Sequence, residues 1–305
     1  MKFFGLLVIC LFLLSACAPA TQQPVVGYVD LSTRQALPTP ADAETTPLRV
    51  AVAAVISPQG TIESYQLLLD YLSDKLGRPV ELVQRRTYLE INNLVENGEV
   101  DLAFVCTSAY VAGHDKFGME LLAAPQVDSE TVYYSLLIVP TNSPARNMED
   151  LRGKIFAFTD PISLSGRMYP TWVVQGLGSS PERFFASTFF TYSHDEAIHA
   201  VANGLVDGAA VDSLVYNFAL GREPSLAQKV RIIHRSPAFG IPPIVVSPSL
   251  RPQIKAELQA LLLAMADDPQ GQAALQAIGI ETFITLDDSA YNDVRTLLSD
   301  INQTR

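Results

Sequence analysis

Asn97-Gly98-Glu99-Val100-Asp101-Leu102-Ala103-Phe104-Val105-Cys106-Thr107-Ser108-Ala109-Tyr110 and Asn203-Gly204-Leu205-Val206-Asp207-Gly208-Ala209-Ala210-Val211-Asp212-Ser213-Leu214-Val215-Tyr216 carry Asn, Gly, Val, Asp, Ala, Val and Tyr at the same seven offsets. In each copy Asn-Gly suits the end of a helix, where positive φ is needed, and Val-Asp-x-Ala opens an apolar strand that runs into a polar loop. The recurrence predicts two lobes of like topology. Upstream of the first copy, Leu48-Arg49-Val50-Ala51-Val52-Ala53 reads as a strand. A helix follows with Ile62, Tyr65, Leu69, Leu72 and Leu76 at helical spacing, closed by Gly77, then a strand at 80–83 and a helix from Tyr88 to Asn97. The pattern restarts with a strand at 153–158, a helix at 165–177 closed by Gly178, and a helix at 195–203 that leads into the second copy. Strands separated by helices imply an α/β fold with parallel sheets built from βαβ units. Ligands of such sheets bind outside the carboxyl ends of the strands, so both polar loops are expected to face one cleft.

The last elements, a strand at 245–247 and helices at 251–266 and 269–278, have to pack on a lobe already begun. The expected division is a discontinuous lobe 1 of residues 47–140 and 246–305, and a lobe 2 of residues 141–245. The crossings near Pro140 to Pro144 and Pro242 to Val246 would act as the hinge.

The N-terminus has one charge at Lys2, an apolar run too short to span a bilayer permanently, and small residues before Cys17. That is a secretory signal. Leu14-Ser15-Ala16-Cys17 resembles the lipobox of bacterial lipoproteins, which makes residues 1–16 a lipoprotein signal peptide, Cys17 the lipidated residue and 17–46, rich in Pro, Thr, Gln and Ala, a flexible linker. The expected location is extracytoplasmic and lipid-anchored. Cys10 leaves with the signal, so the folded body keeps only Cys106, a buried structural thiol with no disulfide partner.

A net charge of −11 argues against nucleic acid, and means that an anionic ligand must be caught by local dipoles. No Gly-x-Ser-x-Gly elbow, Walker loop, His-Glu-x-x-His or paired-cysteine metal pattern is present. Ser163, His194 and Asp212 can be drawn as a triad, but the surrounding pattern uses them to hold a ligand, and no catalysis or cofactor is expected.

Phe158-Thr159-Asp160-Pro161-Ile162-Ser163-Leu164-Ser165-Gly166-Arg167-Met168-Tyr169-Pro170 supplies hydroxyls at a helix start, with Gly166 permitting close backbone approach. Exposed N–H groups and the helix dipole there attract an oxyanion without any lysine or arginine. The same serines are equally suited to capping the helix. This Asp-Pro-x-Ser-x-Ser-Gly loop resembles that of the phosphate/phosphite/phosphonate-type periplasmic binding proteins of ABC importers. Ser193-His194-Asp195, residues 203–212, Ser236-Pro237 with Pro242-Pro243-Ile244-Val245-Val246, and Asp268-Pro269-x-Gly271 fall in the same family's order.

The resemblance implies a type II periplasmic-binding-protein fold, a small anionic solute between two closing lobes, an ABC permease as partner and a monomer tethered to the membrane by its lipid. A lipid-anchored sensory receptor would need the same closing lobes. By position, the ligand-binding residues would be Ser163, Leu164, Ser165 and Gly166 with Tyr88 and His194, while Asp212 would face a cationic or hydroxyl part of the ligand. Tyr88 also suits a half-buried helix position, and His194 a bond to Asp195 or to backbone. Thr61, ahead of Ser64 in the equivalent first-lobe loop, would donate from the opposite wall. Two departures stand out. Pro242 replaces an acidic family residue, and the Phe104-Val105 region replaces a hydrogen-bonding aromatic. Both remove polar contacts to a phosphorus oxyanion.

Overall fold

The computed structural model describes residues 46–303, so the signal peptide, Cys17 and the linker lie outside the described residues. The strands are β1 (Leu48–Val52), β2 (Val80–Gln84), β3 (Leu102–Phe104), β4 (Glu120–Gln126), β5 (Val132–Tyr133), β6 (Ser135–Pro140) and β7 (Ile155–Phe158). They continue as β8 (Ser187–Phe190), β9 (Gly208–Asp212), β10 (Val230–Arg235), β11 (Phe239–Gly240), β12 (Ile244–Val246) and β13 (Thr282–Ile284). The helices are α1 (Pro58–Leu76), α2 (Tyr88–Glu96), α3 (Thr107–Phe117), α4 (Tyr169–Gly176), α5 (Pro181–Phe184) and α6 (His194–Ala202). After them come α7 (Ser213–Arg222), α8 (Leu226–Lys229), α9 (Pro252–Leu263), α10 (Pro269–Ala277) and α11 (Asn292–Gln303).

Two sheets carry the fold, in the orders β13-β4-β12-β3-β1-β2 and β10-β6-β9-β7-β8. Within the first, β1 is parallel to β2 and β3, while β12 is antiparallel to both β3 and β4. The second repeats this: β7 is parallel to β8 and β9, and β6 is antiparallel to β9 and β10. The expectation of parallel sheets therefore holds for four strands of each sheet and fails for β12 and β13 in the first and for β6 in the second. Two of these strands are exchanged between the halves of the chain, β12 returning to the first sheet and β6 running ahead into the second.

Strand β6 also corrects the division of the lobes. Residues 135–140, assigned to lobe 1, pair in the second sheet, so the first crossing lies between β4 and β6 rather than near Pro140 to Pro144. Leu136 and Ile138 of β6 join one core and Leu137 and Val139 another, so both faces are buried and its sequence shows no polar alternation. The crossing strands β5 and β11 pair with each other as a separate two-stranded ribbon. Helix α11, placed in lobe 1, touches both lobes: Val294, Leu297 and Ile301 share a core with Tyr110 and Tyr169, and Gln175 Nε2 donates to the Ile301 carbonyl at 3.2 Å.

The internal repeat is carried by identical hydrogen bonding. Gly98 and Gly204 take φ of 66° and 67° as their helices end. The Asp101 carboxylate accepts from the Arg49 N–H at 2.8 Å and the Asp207 carboxylate from the Ile155 N–H at 2.8 Å, while each Asp N–H donates back to the same residue's carbonyl at 2.9 Å. Each repeated aspartate thus ties neighbouring parallel strands at their starts, Asp101 joining β3 to β1 and Asp207 joining β9 to β7.

Candidate functional site

The loops at the carboxyl ends of the parallel strands open helices in both lobes, and these helix starts meet. Asp160, after β7, accepts through Oδ2 from the Tyr88 N–H that opens α2, at 3.1 Å. Asp195 accepts through both carboxylate oxygens from the Ser57 N–H ahead of α1, at 2.9 and 3.0 Å. The His194 N–H donates to the Val55 carbonyl at 2.9 Å, and the Ser108 hydroxyl donates to the Ile162 carbonyl. At the rim Arg222 reaches Glu63 at 2.9 Å and Ser64 at 3.2 Å, and the Arg86 guanidinium lies 3.9 Å over the Tyr192 ring. The positive ends of α1 and α2 are therefore met by carboxylates of the other lobe, an arrangement that favours lobe closure.

Behind these contacts lie five buried hydroxyls, those of Tyr88, Tyr133, Thr159, Ser165 and Ser193, with no hydrogen-bond partner among the described residues. Tyr88 belongs to the first lobe, Tyr133 to the crossing strand β5, and the other three to loops of the second lobe. Tyr133 stands beside the Thr107 and Ser165 hydroxyls without hydrogen-bond geometry to either. Burial pushes the Tyr88 phenol well above its ordinary range, and the neighbouring Cys106, Asp160, Asp212 and Tyr133 add to the effect. An unpaired buried hydroxyl costs about 1–3 kcal/mol, so five of them drawn from both lobes and the crossing strand mark a candidate polar site.

The Asp-Pro-x-Ser-x-Ser-Gly loop divides its tasks. Ser163 Oγ accepts from the Gly166 N–H at 3.1 Å and so caps the turn, whereas Ser165 leaves its hydroxyl unpaired and its carbonyl accepts from Ser135 Oγ at 2.6 Å. The segment Leu164–Met168 is a π-helical turn rather than the first turn of one continuous helix. Leu164 is packed in the core. Gly166 is required sterically, since a Cβ there would lie 1.8 Å from Thr159 Oγ1.

His194 is buried, and its Nδ1 accepts from the Asp212 N–H at 2.9 Å. Burial lowers its pKa from 6.5 to about 3 against a weaker opposing pull from Asp195, so the ring is neutral and bound to backbone. Asp212 Oδ1 caps α7 by accepting from Leu214 at 2.7 Å and Val215 at 3.4 Å, and burial raises its carboxyl to about 7 against those two bonds. The position equivalent to Asp212 in the first lobe is Cys106, a buried thiol at the start of α3 with no side-chain cap.

A cavity of about 330 Å³ has Asp212 in its wall with Val52, Tyr65, Phe104, Asp128, Leu214, Asn217 and Pro242, and none of the five hydroxyl residues lines it. Ser64 lines it. Thr61 is outside this lining; its buried hydroxyl turns to the Ile56 carbonyl at 3.4 Å. Sequence reasoning ranked Thr61 first, and it missed Tyr133, Thr159 and Ser193. Of these Thr159 and Ser193, each inside a quoted motif, carried a signal, and Tyr133 did not. Among the described residues no cluster of His, Cys, Asp or Glu could hold a metal ion.

The family model for the periplasmic phosphonate substrate-binding proteins of ABC transporters matches residues 50–291. The chain is 24% identical to the phosphonates-binding periplasmic protein of Escherichia coli (strain K12) over 265 residues, covering 85% of this chain and 78% of that protein. Its fold is that of a binding-protein component of an ABC phosphonate transporter from Pseudomonas aeruginosa, with TM-score 0.80, 23% identity and 85% and 87% of the two chains covered. It also matches PhnD1 of Prochlorococcus marinus, solved with methylphosphonate, with TM-score 0.75, 19% identity and 84% and 98% covered. With two lobes of mixed sheets built on the type II periplasmic-binding plan, the chain belongs to the phosphonate-type periplasmic substrate-binding family of ABC transporters.

Proposed function

We propose that the protein is the extracytoplasmic solute-binding component of an importer, lipid-anchored through Cys17, and that it holds a small oxyanion between its lobes and presents the closed form to an ABC permease. The observation that carries this reading is the set of five unpaired buried hydroxyls drawn from both lobes and the crossing strand. Hydroxyls both donate and accept, so they satisfy an oxyanion in either protonation state without a buried counter-charge, and they discriminate by geometry. Ser165 and Tyr133 donate to the anion, Tyr88 contributes from the first lobe, Ser163 and Gly166 shape the cradle, and His194 and Asp212 fix the loop ends around it. A ligand that bridges both walls favours closure by its greater affinity for the closed form.

Calorimetric titration with phosphate, phosphite and methylphosphonate tests the reading. At least one is expected to bind, and Tyr133→Phe and Ser165→Ala are each expected to weaken that binding about tenfold, the worth of one hydrogen bond to a charged group. Tyr133→Phe should at the same time raise the stability of the ligand-free protein by about 1 kcal/mol in urea unfolding, because it removes a buried hydroxyl that has no protein partner. No heat with any of the three anions would overturn the proposal. For the anchor, Cys17→Ser is expected to move the protein from the membrane to the soluble fraction.

A further inference from the structure

The loop that carries Ser165 contains a carbonyl that its own helix cannot satisfy. In the π-turn at Leu164–Met168 a carbonyl accepts from the N–H five residues on: Ser163 from Met168 at 2.9 Å, and Leu164 from Tyr169. Ser165 is next in line, and residue 170 is Pro170, which has no N–H to give. The Tyr169 N–H, one step nearer, is already taken by Leu164. Ser165 is fully buried, so its carbonyl needs a donor from elsewhere in the chain.

That donor is Ser135, whose Oγ reaches the Ser165 carbonyl at 2.6 Å. Ser135 is buried and is the first residue of β6, two residues after Tyr133 on the crossing strand β5. Its backbone is held in turn by the start of the return crossing. The Ser135 N–H donates to Ser236 Oγ at 2.9 Å, and the Ser236 N–H donates to the Ser135 carbonyl at 3.0 Å. Ser236 Oγ donates onward to the Pro237 carbonyl at 2.6 Å.

Resting on the proposed oxyanion site, we infer that Ser135 is a positioning residue for Ser165: it replaces the donor that Pro170 removes and locks the Ser165 hydroxyl to the crossing strand that carries Tyr133. The Tyr133 and Ser165 hydroxyls are neighbours that reach each other from different segments, a crossing strand and a loop of the second lobe. Ser135 ties those two segments together within two residues of Tyr133. Its hydroxyl proton is committed to the Ser165 carbonyl, so it acts on the solute only through Ser165.

A serine that acts through Ser165 and one that merely supports the fold differ in their double variants. Titrations of the full folded protein and its variants with phosphate, phosphite and methylphosphonate measure the difference. Ser135→Ala is expected to weaken the tightest of the three about tenfold, as Ser165→Ala does. Ser135→Ala/Ser165→Ala should then bind within about twofold of either single variant, rather than about a hundredfold below the parent chain. Ser135→Ala/Pro170→Ala gives residue 170 an N–H for the Ser165 carbonyl, and should bring affinity back to within about threefold of the parent chain. Should alanine at 135 fold poorly, Ser135→Cys keeps a similar size and a weaker donor; its smaller loss should likewise disappear in the Ser165→Ala background. Parent-like affinity of Ser135→Ala, or a further tenfold loss on top of Ser165→Ala, would sink the inference while leaving the oxyanion site standing. If the parent chain binds none of the three anions, the underlying function itself fails.

Discussion

Gly166→Ala is expected to abolish solute binding and to cost about 3 kcal/mol of stability, the upper end for overpacking a close-packed interior. A Cβ at this position falls 1.8 Å from Thr159 Oγ1, 2.8 Å from its Cβ and 2.9 Å from its Cγ2. Thr159 cannot swing aside: it is fully buried, and its N–H donates to the Gly166 carbonyl at 3.3 Å. The backbone would yield instead, and with it the Ser163 cap on the Gly166 N–H and the unpaired Ser165 hydroxyl between them. Thr159→Gly removes the opposing atoms, so the double variant should recover most of the stability and part of the affinity. Urea unfolding and calorimetric titration on the three variants check this. If Gly166→Ala binds within threefold of the parent chain, this loop is not the cradle of the anion.

How much of this was legible in the sequence depends on whether a residue's role is local. The repeat was legible because Asn-Gly and Asp act within a few residues of their own helix and strand, and Asp101 and Asp207 make the same bonds in both lobes. The exchanged strands were not. Leu136 to Val139 is buried on both faces and reads as a generic apolar strand, with nothing in it to say which sheet it enters.

The site divides along the same line. Ser165 could be found, since its loop is a contiguous motif. Tyr133 could not, because its position depends on a two-residue strand at the crossing that pairs with Phe239, over a hundred residues away. His194 drew attention by its chemistry, yet its Nδ1 is taken by the Asp212 N–H, while its plainer neighbour Ser193 keeps an unpaired hydroxyl. Pro242 was read as the loss of an acidic contact; in the fold it forms part of an apolar wall.

The largest pH effects are expected to appear only when one of two offsetting groups is removed. His194 has its pKa lowered by burial from 6.5 to about 3. The fold requires the neutral ring, so its contribution is present above pH 6.5 and is lost as pH falls toward 3. Asp212 has its pKa raised by burial from 3.8 to about 7. The fold requires the protonated acid, so this contribution is present below pH 3.8 and is lost as pH rises toward 7. Between about pH 4 and 6.5 the slopes have opposite signs and each amounts to about 3 kcal/mol, so together they leave stability nearly flat.

His194→Gln keeps an acceptor for the Asp212 N–H but does not titrate; its stability should fall by about 3 kcal/mol as pH rises across that window. Asp212→Asn, which keeps the α7 cap through its amide oxygen, should show the reverse, losing about 3 kcal/mol as pH falls across it. Urea midpoints at half-unit pH steps would reveal the two opposed slopes, and parallel profiles for both variants and the parent chain would refute the burial argument for each. Because the protonated Asp212 is also the form that does not repel an anion nearby, solute affinity of the parent chain should rise as pH drops from 8 to 6 by more than it does in Asp212→Asn, where only the solute's own second ionisation remains.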